Sequence, residues 1–315
     1  MKSSMSDIDS TPPEEEPAGS AASARPAPNA FGADVSVGSS VSGVSLLTWT
    51  WPAGQLSDDA VPIVLQIIEG LGTSHSSRSS VAQGSVTAEH VSVSYLADAS
   101  PILGDGADST EISPLAALAA AEGLASALLE CQGLGVPIGR WDPALLHQTE
   151  EGCWSLPTPG LHALPHGGRP LIVSLTESAA CAPEAATGAI DLSSCNSKQR
   201  AQAEAYSMGA TLYWVLSGEL PLQAETPENY CRAQLESAPK PLHDVAPHLE
   251  RYASLTRLVD RCLARSPEER PESLAELAHE LSVAAREADR LENSVSFFPL
   301  RVSDSQGMDL PSRRR

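Results

Sequence analysis

From Val44 onward, apolar blocks alternate with polar, turn-forming stretches, and the period within each block predicts its element. VSLLTWTW (44–51) is a compact apolar segment. In LSDDAVPIVLQIIEGL (56–71), Ser57 stands as a helix cap ahead of an apolar face that ends near Gly70 and Gly72. Pro62 lies inside that face and is expected to shorten or kink the helix. SHSSRSS reads as a flexible link, and HVSVSYL (90–96) beyond it alternates as a strand does. ISPLAALAAAEGLASALLECQ (112–132) has the stronger helix signature, with Ser113 as cap, Pro114 at the first helical position and an Ala/Leu-rich body. GVPIGRWDPALL (135–146) reads as a loop and GCWSL (152–156) as a short strand, before an irregular stretch from about 157 to 196. Three helices are then predicted, over 204–216, 252–264 and 273 to about 291.

Residues 1–42 are rich in Ser, Pro, Ala, Gly and Glu and nearly free of large apolar side chains, so they cannot offset the entropy of ordering and read as a disordered tail. Residues 292–315 read as a second, flexible tail. Between them lie two blocks, 43–110 and 111–291. Both show the order helix, loop, strand, at an offset of about 55 residues, and duplication is one reading of the first block.

Lys and Arg total 20 against 40 for Asp and Glu, a net charge of −20. Such a field repels nucleic-acid phosphate and anionic membranes and favours basic partners. The six cysteines (Cys131, Cys153, Cys181, Cys195, Cys231, Cys262) read as reduced thiols. The start, MKSSMSDIDSTPPEEEP, is acidic where a secretory leader is basic and then apolar, and no apolar run reaches the length of a membrane span. A cytoplasmic protein is expected. Cys153 precedes His162 and His166 at a finger-like spacing, but no Cys-x-x-Cys pair supplies the other ligands, so no metal is expected.

The later part of the chain holds three motifs in order. ACAPEAATG (180–188) contains Ala182, Pro183 and Glu184; AEAYSMGATLYWVLSGELPL (203–222) contains Glu204 and Gly209; LTRLVDRCLARSPEERPESLAELAHEL (255–281) contains Arg270. From about 112 to 291 the chain resembles a protein kinase C-lobe: the A-P-E triplet that closes the activation segment, the central helix D-x-Y/W-S-x-G-x-x-L-Y, and the two helices around a D-P-x-x-R-P loop. The resemblance implies an α+β, mainly α-helical fold, C-lobe-like, with a reduced or atypical N-terminal part. It leaves open whether 43–110 is a reduced N-lobe or a duplicated unit. It also pairs Glu184 with Arg270, a buried contact that speaks for fold rather than chemistry.

Phosphoryl transfer needs a lysine on the phosphates, carboxylates on Mg²⁺ and an aspartate to accept the hydroxyl proton. The chain's lysines are Lys2, Lys198 and Lys240, and no G-x-G-x-x-G is present. Placing the family's H-R-D-x-K-P-x-N on IGRWDPALL puts Arg140 at the base position and Leu145 at the metal-binding asparagine. D-F-G then falls on Thr158, Pro159 and Gly160. Arginine accepts no proton, and neither leucine nor threonine replaces these ligands on Mg²⁺. A second alignment, on QGSVTAEHVSV and LGDGA, puts Ser85 at the base, His90 at the asparagine and Asp105 at the metal carboxylate; it too lacks base and lysine. Glu204 stands where the family has the aspartate that holds the catalytic-loop backbone, which suggests a loop released from tight chemical constraint.

Among non-catalytic relatives, YSMGATLYW (206–214) and VSLLTWTWPAGQLSDD (44–59) are similar to the KIND domain, an interaction module. What this implies is an inactive, kinase-like module or scaffold, without cofactor, receiving a basic or amphipathic protein segment. Glu219, Glu225, Glu228 and Glu236 offer an acidic receiving face. The alternative is an atypical kinase or nucleotide-binding pseudokinase with residual phosphotransfer. Trp141, Trp154 and Trp214 are expected to serve core packing before binding. PENYCRAQLES (227–237) is expected to be a solvated helix.

Overall fold

The computed structural model describes residues 34–39, 45–52, 55–56, 58, 60–72, 81–96, 100–101, 112–148, 152–156, 159–161, 164, 172 and 174–294. Within them the chain is mixed α/β and mostly helical, with small sheets.

Four strands, β1 (Asp34–Ser39), β2 (Ser45–Pro52), β3 (Val81–Val86) and β4 (His90–Leu96), form an antiparallel sheet in the order β1-β2-β4-β3. α1 (Ala60–Gly72) lies in the connection from β2 to β3. The register sets Thr48 opposite Ser36 and Ser94, and Ser92 opposite Thr50 and Ser85. Side chains alternate between the two faces of a strand, so one face carries these hydroxyls and the other buries Trp49, Trp51, Val91, Val93 and Tyr95. Hydroxyl bonds of 2.8 Å, Thr48–Ser94 and Ser85–Ser92, tie neighbouring strands together. α1 packs on the sheet through β3, where Ile68 lies against Gly84.

Two expectations are corrected here. Asp34–Ser39 falls in the stretch read as a disordered tail, yet it forms an edge strand paired along its length with Ser45–Thr50. Composition averages over the whole tail hid the alternation of DVSV. Pro62 neither shortens nor breaks α1. It is the third residue of the helix, in the first turn, where a backbone N–H has no helical acceptor to lose. The cap assigned to Ser57 lies outside the described residues.

The second part begins with α2 (Pro114–Gly133), capped as expected: the Ser113 hydroxyl accepts from Ala116 N at 3.2 Å, and Pro114 opens the helix. Against the expectation that no apolar run reaches the length of a membrane span, α2 does so by length and composition, but ten of its residues are buried, against α9, α5 and β7. Short strands β5 (Ser100–Pro101), β6 (His147–Gln148) and β7 (Trp154–Ser155) pair antiparallel. There follow α3 (Leu175–Ala180), α4 (Pro183–Ala186), α5 (Ser197–Ser217), α6 (Pro227–Glu236), α7 (Leu242–Val245), α8 (Ala253–Cys262) and α9 (Leu274–Ser294). One apolar core runs from Trp49 to Ala288 and joins the sheet to the helices.

α5 is longer than the expected 204–216, because Asn196 and Gln199 form a reciprocal capping box at its start. Gly218, in the left-handed conformation at φ +75°, ends it. α8 crosses α5 at Gly209, where an added Cβ would lie 2.6 Å from the Cys262 Cβ. α6 is more than a solvated helix. Tyr230 and Gln234 are buried, and the Gln234 amide donates to Ser178 O, Cys181 O and the Tyr206 hydroxyl at 3.0–3.1 Å.

Candidate functional site

The motif residues gather in two networks on either side of α5. In the first, Arg270 follows a 3-10 turn, Pro267–Glu269, and its side chain is fully buried. Its guanidinium donates to both Glu184 oxygens, at 2.7 and 3.0 Å. The remaining N–H groups reach Ala264 O at 2.8 Å and Gln202 O and Arg265 O at 3.2 Å. Five donors thus meet five acceptors, which is the full capacity of the group. The Tyr206 ring lies 4.8 Å from the guanidinium carbon. Ala182 and Pro183 open α4 and so aim Glu184 from its first turn.

The second network holds the loop 136–146. Glu204, buried in α5, accepts from Gly139 N at 2.9 Å. Burial pushes its carboxyl up to about 7, against the lowering effects of the Gly139 N–H and of Arg200. Arg140, the next residue of the loop, is 2% exposed and ion-paired with Glu177 of α3, also 2% exposed. Asp142 accepts from Ala144 N at 3.0 Å and from the Ser174 hydroxyl at 2.7 Å, and Ser174 also caps α3 through Glu177 N. The Trp141 indole donates to Thr211 on α5 at 3.1 Å. The loop is therefore fastened at four successive residues, and Leu145 sits half-buried in the 3-10 turn Pro143–Leu145 beyond them.

On the sheet side the space is apolar. Trp49 meets Tyr95 edge to face, with ring centroids 5.5 Å apart, and the Tyr95 hydroxyl donates to Pro159 O at 3.0 Å. Gly160, at φ +88°, lies against Ile67 of α1, so close that a Cβ would come within 2.6 Å. Pro159 and Gly160 thus join sheet, helix and loop.

Other candidate positions fall elsewhere. Ser85 and His90 sit on the β3–β4 hairpin, bonded to Ser92 and Thr87, and not on a loop following a helix. Thr158, Asp105, His162 and His166 lie outside the described residues. Cys153 is half-buried against Gly123 of α2. Among the described residues no group of His, Cys, Asp and Glu could hold a metal ion. Glu219, Glu225, Glu228 and Glu236 are exposed, with Arg232 exposed one turn from both Glu228 and Glu236 on α6. Trp141 and Trp154 are core residues, and Trp214 is half-buried.

Sequence reasoning missed Glu177, Asp142 and Ser174. The signal was present in Arg140 itself: an arginine held at a loop position that the fold encloses requires a carboxylate, and Glu177 lies just ahead of the A-P-E triplet.

No family model matches the chain. Two proteins of Myxococcus xanthus are similar to part of it. Serine/threonine-protein kinase pkn2 is 39% identical over 102 residues, which is 32% of this chain and 11% of that protein. Serine/threonine-protein kinase pkn3 is 25% identical over 114 residues, 36% of this chain and 20% of that protein. The chain therefore spans between a tenth and a fifth of the length of these relatives. The relationship is protein kinase-like and covers about a third of the chain.

Proposed function

We propose that this chain is a kinase-like interaction module, similar to a KIND domain, that receives a basic or amphipathic segment of another protein and transfers no phosphate. The observation that carries the reading is Arg140. Where the family motif has a proton-accepting aspartate, this chain has a buried guanidinium already committed to Glu177. The sheet supports it as well. Two strands precede α1 and two follow it, as a reduced N-lobe would have them, and in a kinase the strand before that helix presents the phosphate-anchoring lysine. β2 instead turns Trp49 and Trp51 into the core, and no lysine lies between Lys2 and Lys198.

Both relatives are serine/threonine kinases by name, which favours a second reading, a nucleotide-binding pseudokinase with residual phosphotransfer. Calorimetry with ATP, with and without Mg²⁺, separates the two. No saturable binding and no rise in melting temperature are expected. Saturable ATP binding that raises the melting temperature refutes the proposal and promotes the second reading.

A further inference from the structure

Where α2 begins and α9 ends, the chain leaves a cavity of about 420 Å³. Its walls are Ser113 and Pro114 at the start of α2, His248, Arg251 and Tyr252 ahead of α8, and Glu292 near the end of α9. A volume of that size admits a small organic molecule. None of these residues belongs to the two networks around α5.

The charged groups of the cavity are held in place but only partly used. Tyr252 is 3% exposed. The exposed Arg251 guanidinium lies 4.8 Å from the centre of the Tyr252 ring and donates to its hydroxyl at 2.6 Å. That hydroxyl donates in turn to Glu292 Oε1 at 3.4 Å, and Leu115 N donates to the same oxygen at 3.2 Å. One N–H group of Arg251 is thus engaged, of the five that a guanidinium carries, and Glu292 Oε2 accepts from no described residue. Arg251 and Glu292 meet only through the phenol. Their contacts share one oxygen, so the two charges stand no farther apart than those contacts laid end to end, yet no direct ion pair joins them among the described residues. A separated cation and anion therefore line one cavity with hydrogen-bonding capacity open on both.

We propose that this cavity binds a free α-amino acid as its zwitterion. The ligand carboxylate lies on Arg251, with His248 as a further N–H donor, the ammonium lies on Glu292 Oε2, and an apolar side chain rests against Pro114. Simple ions fit less well. A phosphate gains Arg251 but meets the Glu292 carboxylate, and the start of α2 adds nothing, since Glu292 and the Ser113 hydroxyl already take the N–H groups of Leu115 and Ala116. A bare amine meets Arg251. A zwitterion satisfies both charges at once, through charge-assisted hydrogen bonds at each end. The site is independent of the binding-module reading and goes beyond it.

Calorimetry of the full chain with L-leucine, L-leucinamide, N-acetyl-L-leucine and inorganic phosphate tests the site, together with NMR of ring-labelled tyrosine. Leucine should bind saturably, and leucinamide and N-acetyl-leucine, each lacking one charge, should bind about tenfold or more weakly. R251Q should weaken leucine about tenfold and leave leucinamide unchanged. E292Q keeps an acceptor for Leu115 N and Tyr252; it should weaken leucine by a similar factor and leave N-acetyl-leucine unchanged. A tyrosine ring resonance should move with leucine and be missing from Y252F. Loss of fold weakens every ligand alike and so gives a different pattern. N-acetyl-leucine or phosphate binding as tightly as leucine overturns the zwitterion site, and so does the absence of saturable leucine binding.

Discussion

Removing Glu184 should cost far more than removing an ordinary surface carboxylate, because of what it leaves behind. Glu184→Ala strips acceptors from two of the five N–H groups of Arg270, a guanidinium with no solvent exposure. An uncompensated buried charge of this kind costs about 3–5 kcal/mol. At about 2–4 °C per kcal/mol for a domain of this size, the melting temperature should fall by roughly 6–20 °C. Arg270→Met removes the charge from the other side. Glu184 is 14% exposed and can recruit water, but Ala264, Gln202 and Arg265 lose their donor and Tyr206 its cation. The double variant should therefore lie within about 1 kcal/mol of the worse single one, a coupling of at least about 2 kcal/mol. Urea unfolding followed by tryptophan fluorescence measures all four free energies, with Trp141 and Trp154 as buried reporters. Losses that add within about 0.5 kcal/mol would refute the coupling and the claim that burial makes this pair costly to break.

Glu204 carries a pH dependence whose sign is fixed by burial. Its carboxyl rises from 4.5 to about 7 on folding, so the folded state holds the proton more tightly, and stability is lost as pH climbs through that window. The loss is at most about 3 kcal/mol, and Glu204→Gln should flatten the slope and be the more stable protein at pH 8, read by urea midpoints across pH; an unchanged slope counts against it. Gly209→Ala should cost about 1–3 kcal/mol by thermal melting, because its Cβ would press on Cys262 and force α5 and α8 apart; a neutral result would mean that the helices slide freely there. Arg140→Asp should cost more than about 3 kcal/mol by setting a second carboxylate against Glu177, and Glu177→Arg added to it should recover part of the loss. Tolerance of Arg140→Asp alone would show that the pair is not enclosed.

Local chemistry was the most legible part of the sequence. Ser113 and Pro114 begin α2 because a hydroxyl cap and a prefixed φ act within one turn, whatever lies beyond. The capping box of Asn196 and Gln199 is equally local, and it starts α5 at Ser197, ahead of the expected Glu204. Glu184 and Arg270, 86 residues apart, were legible only through motifs, since no period links them. Arg140 and Glu177 are 37 residues apart with no motif to join them, and appear once the loop and α3 face each other. β1 was obscured for a different reason. An edge strand of six residues contributes little apolar content to a tail of forty-two, and its stability comes from the partner strand.

Charge in this chain divides into an enclosed set and an exposed set, and salt should act on them differently. The pairs Arg140–Glu177 and Arg270–Glu184 each cancel, so the net charge of −20 is carried by the other residues. Enclosed pairs are screened little by ions, whereas a field projected into solvent decays over a Debye length of about 8 Å at 0.15 M. Raising NaCl from about 0.05 to 0.5 M should therefore slow capture of a basic segment by tenfold or more and leave the unfolding midpoint nearly unchanged. Stopped-flow association and urea unfolding at matched salt test both halves. If association is indifferent to salt, the acidity serves solubility and the receiving face is not electrostatic. If the unfolding midpoint falls as steeply as the rate, the two arginine pairs are open to solvent, and the loop at Arg140 is not locked.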